Sequence, residues 1–249
     1  MQSDDISLQE MVTDLRQDGI EKLRGQVRSS VSISSLSSDS EPLAFTLPGL
    51  AASAATCNEG RKTLCLGMAS LPGDLEVILL LDGKEAGRLA VGGIAPQITR
   101  ISPDGRFGIV NFDSRSALLL SLDSSLSQIA RLPHLHEINE AAFSPDSSLV
   151  ATVSDDGTAR IWRTVDGSPV GPPLLGSTDS ALYAVDFSPD GRWMATGGDN
   201  DAVVVWDVVH QRRASIDLTA GDTIRDLKFS PDGRWLATCG DDGMARVWQ

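Results

Sequence analysis

Three residues invite a catalytic reading. His134, Asp156 and a hydroxyl at Thr152 or Ser154 have the types of a base, its orienting carboxylate and a nucleophile. Geometry defines such a triad, and a residue list alone does not. The sequence has no Gly-x-Ser-x-Gly elbow and no other nucleophile motif. His134 and His136 could offer two imidazoles to a metal, but zinc normally takes three or four protein ligands. The remaining histidine, His210, lies far along the chain. Asp155-Asp156, Asp199-Asn200-Asp201 and Asp241-Asp242 are rich in carboxylates, yet none opens a twelve-residue loop with a distal Glu, as a calcium loop would. There is no Walker loop and no Gly-x-Gly-x-x-Gly. These residues therefore read as parts of a framework, and no catalytic residue, metal or cofactor is expected.

That framework is a repeat. Phe229-Ser230-Pro231-Asp232-Gly233 is a turn: Pro presets φ, Asp suits the next place, and Gly takes the left-handed one. A strand follows to Thr238, then the turn 239–243, then a strand from Ala245 to Trp248. Three such strands cannot bury both faces alone. The pattern recurs from Phe187 to Trp206 and from Phe143 to Trp162. Ile101-Ser102-Pro103-Asp104-Gly105 repeats the turn, with Leu120 in place of Trp, and Thr56 to Arg61 is a fainter copy. Anchors at 56, 101, 143, 187 and 229 stand 42 to 45 residues apart. That period, with four strands per unit, marks propeller blades.

On these motifs residues 41–249 resemble the WD-repeat β-propeller family, in particular its bacterial-type members whose units read "FSPDG…LAT…DDGTARVW". The resemblance implies an all-β fold of five four-stranded units, 41–82, 85–123, 127–164, 168–208 and 210–249, in which the first strand of each unit completes the blade before it. It also implies a buried polar set in each blade: Asp in the second tight turn, His before the inner strand, a hydroxyl on the second strand, and the Trp indole. Unit three matches in full, with Asp156, His134, Thr152 or Ser154, and Trp162. Unit four keeps Trp206 and Thr196, with Asn200 at the Asp place and Ser177 near the His place. Unit five keeps Asp242, Thr238 and Trp248, with Ala220 near the His place. Unit two lacks both Trp and His. A carboxylate without its His should lean on backbone donors or water. The first outer strand, 42–47, and the last strand, 245–248, are the edges that a closed five-blade ring would join. The family's usual seven blades would need about 300 residues at this period, which favours reading the chain as part of a longer propeller.

Residues 1–28 suggest a short helical segment. Ser7-Leu8-Gln9-Glu10 fits a capping box, and Leu8, Met11, Val12 and Leu15 share one face. Such a helix either packs on its own propeller or docks a partner. Residues 29–40 hold eight Ser in twelve and read as a linker, although Val31 and Ile33 alternate as in a strand. The net charge is −13, and Lys is scarce, which disfavours nucleic-acid backbones and anionic membranes. In the first hairpin a turn at 58–61 would pair Cys57 with Lys62 and Cys65 with Ala54, about 10 Å apart along the strands and beyond disulfide reach. Three reduced Cys, no signal-peptide pattern and no long apolar run point to a cytoplasmic protein.

Fold alone does not fix function. Rigid blades with variable loops suit a protein-interaction scaffold or sensor that binds a protein or peptide on the rim and works within a larger protein or complex, with signalling as its setting. The alternative is a propeller enzyme or a small-ligand site in the central channel. The rim candidates are His136, Glu137, Asp155, Asp179, Tyr183, Asp199, Thr223, Arg225 and Asp241.

Overall fold

The structure is a computed structural model. It describes residues 28–33, 43–48, 51–57, 62–68, 75–81, 84–90, 99–123, 126–176, 180–199, 202–214, 218–219 and 221–249, the first four ranges as backbone only. The expected helix before residue 28 lies outside these residues, as do Ser177, Asp179, Asn200 and Ala220.

Five antiparallel sheets follow one another along the chain. Sheet 1 holds Ala51–Cys57, Lys62–Met68, Leu75–Leu81 and Lys84–Ala90. Sheet 2 holds Thr99–Ile101, Phe107–Asp113, Ser116–Ser121 and Ser127–Pro133. Sheet 3 holds Ile138–Phe143, Leu149–Ser154, Thr158–Arg163 and Leu174–Leu175. Sheet 4 holds Leu182–Phe187, Trp193–Gly198 and Ala202–Asp207, with Arg212–Arg213 and Leu218–Thr219 both on its outer edge. Sheet 5 holds Ile224–Phe229, Leu236–Gly240 and Ala245–Trp248. The fold is all-β, with successive antiparallel sheets of the kind that a WD-repeat propeller would have. Each outer strand comes from the start of the following unit, because a chain leaving the third strand at the edge can extend the sheet most cheaply there. In the first hairpin Cys57 stands opposite Lys62 and Ala54 opposite Cys65.

One expectation needs correction. Arg28–Ile33, inside the Ser-rich stretch, is a strand paired with Leu43–Pro48. Alternation at Val31 and Ile33 is the signal that favours it over a plain linker. Leu43–Pro48 and Ala245–Trp248, the edges that a closed five-blade ring would join, are not paired with each other, and among the described residues the last strand has no partner on its outer edge.

The first tight turn is built alike four times. The hydroxyls of Ser102, Ser144, Ser188 and Ser230 donate to Asp104, Asp146, Asp190 and Asp232 at 2.5–2.6 Å. The same carboxylates accept from the backbone two residues on, at 3.0–3.1 Å. The next residue takes φ between 61° and 72°, as Gly105, Ser147, Gly191 and Gly233. A local hydrogen-bonded turn thus sets the register of each hairpin.

The core lies between sheets rather than within them. Val77 and Leu79 meet Val110, Leu118 and Leu120 across sheets 1 and 2. Ile109 and Leu119 meet Ala141, Val150 and Trp162 across sheets 2 and 3. Ala151, Val153 and Ile161 meet Val185, Met194 and Val204 across sheets 3 and 4. Ala195 and Val203 meet Ile224, Leu227 and Leu236 across sheets 4 and 5. Stacking of this kind buries a hydrophobic face that no single unit could bury.

Candidate functional site

The residues with catalytic types form a closed chain inside sheet 3. The Trp162 indole donates to Thr152 Oγ1 at 3.0 Å. The Thr152 hydroxyl lies 2.7 Å from His134 Nε2 and donates to it, and His134 Nδ1 lies 3.0 Å from Asp156 Oδ2 and donates there. Thr158, which sequence reading overlooked, donates to Asp156 Oδ1 through its hydroxyl at 2.5 Å and its backbone at 3.0 Å. Leu135 N supplies another donor to Asp156 at 2.9 Å. Of the two hydroxyl candidates Thr152 joins the chain, while Ser154 accepts from Asp156 N at 3.1 Å and shapes the turn.

Burial decides the charge state of this chain. Desolvation outweighs the Asp156 carboxylate and lowers the His134 pKa to about 4. Burial raises the Asp156 carboxyl, but the Thr158 hydroxyl, the Leu135 amide and His134 together hold it at about 2. Near neutral pH the pair is therefore a neutral imidazole donating to a carboxylate. Thr152 is 0 % exposed, and its oxygen is held by both Trp162 and His134. No substrate carbonyl can reach it. Both His134 nitrogens are engaged, so neither is open to a metal.

Sheets 4 and 5 keep only part of the chain. Trp206 donates to Thr196 at 2.9 Å and Trp248 to Thr238 at 3.1 Å. Asp242 accepts from Met244 N at 2.9 Å and pairs with Arg246 at 2.7 Å. The Met244 amide and Arg246 hold its carboxyl below the usual range.

The rim candidates come together through a feature that the sequence pattern does not display. Each inner strand of sheets 3, 4 and 5 carries a β-bulge, between Ile138 and Glu140, Leu182 and Ala184, and Ile224 and Asp226. Asn139, Tyr183 and Arg225 are the extra residues. A bulge re-aims its side chain, and here each meets the acidic turn of its own sheet. Asn139 donates to Asp155 at 2.7 Å, Tyr183 to Asp199 at 3.0 Å, and Arg225 to Asp241 through two nitrogens at 2.9 and 2.5 Å. The amides of Asp155, Asp199 and Asp241 donate to the carbonyls of Glu137, Ala181 and Thr223 at 2.9–3.0 Å, which pins the turns against the loops before the inner strands.

Contacts between sheets join these pairs into one strip. Asn139 also donates to Leu182 O at 2.8 Å. The Thr223 hydroxyl reaches Asp199 at 3.4 Å, and the Arg225 guanidinium lies 4.7 Å from the Tyr183 ring centre. Burial, then the Asp199 and Asp155 carboxylates, raise the Tyr183 hydroxyl above its ordinary value. The Arg225 hydrogen bond keeps the Asp241 carboxyl low. The three aspartates thus lie on one connected surface but are not bare charges, because each already accepts from its bulge residue. His136 and Glu137 are exposed in the loop before sheet 3. Asn139 belongs to the strip although it was absent from the rim expectations. Its signal is the spacing of 16 residues from bulge to turn, shared by all three sheets.

Residues 126–163, 171–207 and 215–249 match the family model described as WD domain, G-beta repeat. The chain is similar to "Protein Atg16l2" of Mus musculus, 33% identical over 75 residues, which is 30% of this chain and 12% of that protein. It is similar to a component of "Chromatin assembly factor 1" in Gallus gallus, 27% identical over 158 residues, or 54% and 25% of the two chains. It is also similar to "SEC12-like protein 1" of Arabidopsis thaliana, 32% identical over 130 residues, or 50% and 27%. The matches thus span about an eighth to a quarter of these relatives' length. They come from animals and a plant and lend nothing to the bacterial-type resemblance.

Proposed function

We propose, from a chain that carries WD repeats and folds as a WD-repeat propeller, that this protein is a binding platform whose rim takes a segment of another protein. One observation carries the reading: three successive bulges line up Asn139, Tyr183 and Arg225 with Asp155, Asp199 and Asp241 in a single polar strip. The strip is graded. Glu137 and Asp155 lie at its sheet 3 end, Tyr183 offers a half-buried ring at its middle, and Arg225 lies at its sheet 5 end. A segment with a basic residue over Asp155 and an acidic or aromatic one toward Arg225 fits this order. Buried hydrogen bonding at Thr152 and His134 supports a role outside catalysis. The relative named for chromatin assembly fits a scaffold within a larger assembly. The overall acidity of the chain supports a protein partner over nucleic acid. Among the described residues no helix is long and apolar enough to cross a membrane. A cytoplasmic, signalling setting and a separate partner-docking role for residues 1–28 belong to the same reading.

The test replaces Asp155, Asp199 and Asp241 together by Asn and compares the proteins co-purified with wild type and variant at two salt concentrations. The triple variant should keep its thermal midpoint, lose partner recovery several-fold and show a weaker salt dependence. Recovery of the same partners in the same amounts would remove the rim from consideration and pass the role to Leu8, Met11, Val12 and Leu15.

A further inference from the structure

Sheet 3 ties its part of the rim to a group that can take up a proton. The loop 134–137, ahead of the inner strand, is fastened at three points. His134 N donates to Arg115 O at 2.7 Å, Leu135 N to Asp156 Oδ2 at 2.9 Å, and Asp155 N to Glu137 O at 2.9 Å. Asp155 and Asp156 are neighbours in one tight turn, so the second and third bonds both join that turn to the loop. His134 and Thr158 hold the Asp156 carboxylate in place for the second. Asn139, the bulge residue that follows the loop, meets the same turn through Asp155. The sheet 3 end of the rim, made of Glu137, Asn139 and Asp155, therefore depends on the buried chain beside it.

That chain has no room for a second proton on its histidine. The His134 side chain is 0 % exposed. Its Nδ1 donates to Asp156, and its Nε2 accepts from Thr152, whose oxygen already accepts from the Trp162 indole. A proton on Nε2 leaves the Thr152 hydroxyl hydrogen without its acceptor and places a cation where water does not reach. The charges acting on the ring are Asp156, which favours the proton, and Arg160, which opposes it, and burial opposes it most. From sheet 2 the residue meets the Arg115 carbonyl. An imidazolium gains by moving out to water, and that movement draws Leu135 and Glu137 off the turn. Sheets 4 and 5 have no such group at the described counterparts. Of the chain's three His, His136 is exposed in the loop itself and His210 follows the third strand of sheet 4. In sheet 5 the counterpart of Asp156 is Asp242, which pairs with Arg246, a side chain that does not titrate in this range.

We propose that His134 is an acid-operated latch on the sheet 3 end of the rim: when it takes a proton, the loop 134–137 releases the Asp155-Asp156 turn while the rim of sheets 4 and 5 stays fastened. Its effect on binding rests on the rim reading above, with the contact to a partner's basic residue lost first, but the latch itself is observable without a partner. Amide hydrogen exchange followed by NMR on the full chain tests it. The amides of Asp155, Asp199 and Asp241 stand at one position in three sheets and donate to the carbonyls of Glu137, Ala181 and Thr223. From about pH 7 to about pH 4.5, after correction for the intrinsic rate, protection should fall about tenfold or more further at Asp155 and Leu135 than at Asp199 and Asp241. In His134→Gln, which offers an amide at that place and does not titrate, the excess should vanish. Equal loss at the three turns of the wild type overturns the proposal, and that comparison decides by itself if His134→Gln does not fold. An excess that persists in His134→Gln overturns it as well. Failure of the rim reading in the co-purification test leaves these amide results unchanged, so the two can fail separately.

Discussion

Sheets 3 and 4 share a turn, a register and a buried Trp, yet they are held together differently inside. In sheet 3 the indole of Trp162 begins a chain through Thr152 and His134 to Asp156, and every member has a partner. In sheet 4 the indole of Trp206 reaches Thr196 and the described chain goes no further. The two Trp are equally buried, at 5 % and 4 %. The polar chain gives sheet 3 a dependence on protonation through His134 and Asp156.

The largest expected effect measures that difference directly. Trp162→Ala and Trp206→Ala should each lose about 3–5 kcal/mol from the missing aromatic ring. Trp162→Ala should lose about 1–2 kcal/mol more, because Thr152 and the chain behind it are left without a donor. Equal shifts of the denaturation midpoint in the two variants would break the comparison.

Acid should find sheet 3 before sheet 4. The pKa of His134 is depressed in the fold, from an ordinary 6.5 to about 4. The unfolded chain then binds a proton at a higher pH than the folded one does. Stability is full above about pH 6.5 and falls as pH drops toward 4, by about 3 kcal/mol in all. Asp156, lowered from 3.8 to about 2, adds a further loss below pH 4. Thermal midpoints measured from pH 7 to 4 should fall steeply for wild type. For His134→Gln they should start lower and change less over that window.

The smallest expected effects concern one turn residue. Sheet 4 has Gly191 at φ 69°, and sheet 3 has Ser147 at φ 61°. An ordinary side chain in that conformation costs about 1 kcal/mol. Ser147 offsets the cost, because its hydroxyl accepts from the amide of Asp104 in sheet 2 at 3.1 Å. Gly191→Ser should therefore destabilise by about 1 kcal/mol, and Ser147→Gly should be close to neutral. A clear gain for Ser147→Gly in chemical denaturation would show that the cross-sheet bond contributes nothing.

Much of this was legible in the sequence. The Ser-Pro-Asp turn is local chemistry, so its four appearances, three with Gly and one with Ser147 in the next place, located the inner hairpins almost residue by residue. Spacing between anchors carried the sheet count. The family resemblance implied the polar chain in sheet 3, by matching His134, Asp156 and Trp162 to the family's places. The bulges were not legible. A bulge inserts one residue without a Gly or Pro to mark it, and Asn139, Tyr183 and Arg225 share no chemical type. Sequence therefore named Asp155, Asp199 and Asp241 as separate rim residues where the structure has three bonded pairs.

Sequence by itself determined the strands, the turns and the order of the sheets, because each depends on contacts within a few residues. Tertiary structure decided which hydroxyl entered the polar chain, that His134 is neutral, that the rim residues of three sheets touch, and that Leu43–Pro48 pairs with Arg28–Ile33. These outcomes depend on burial and on partners 10 to 43 residues away. Charge state follows from how much water is excluded, and no residue carries that information in its own type.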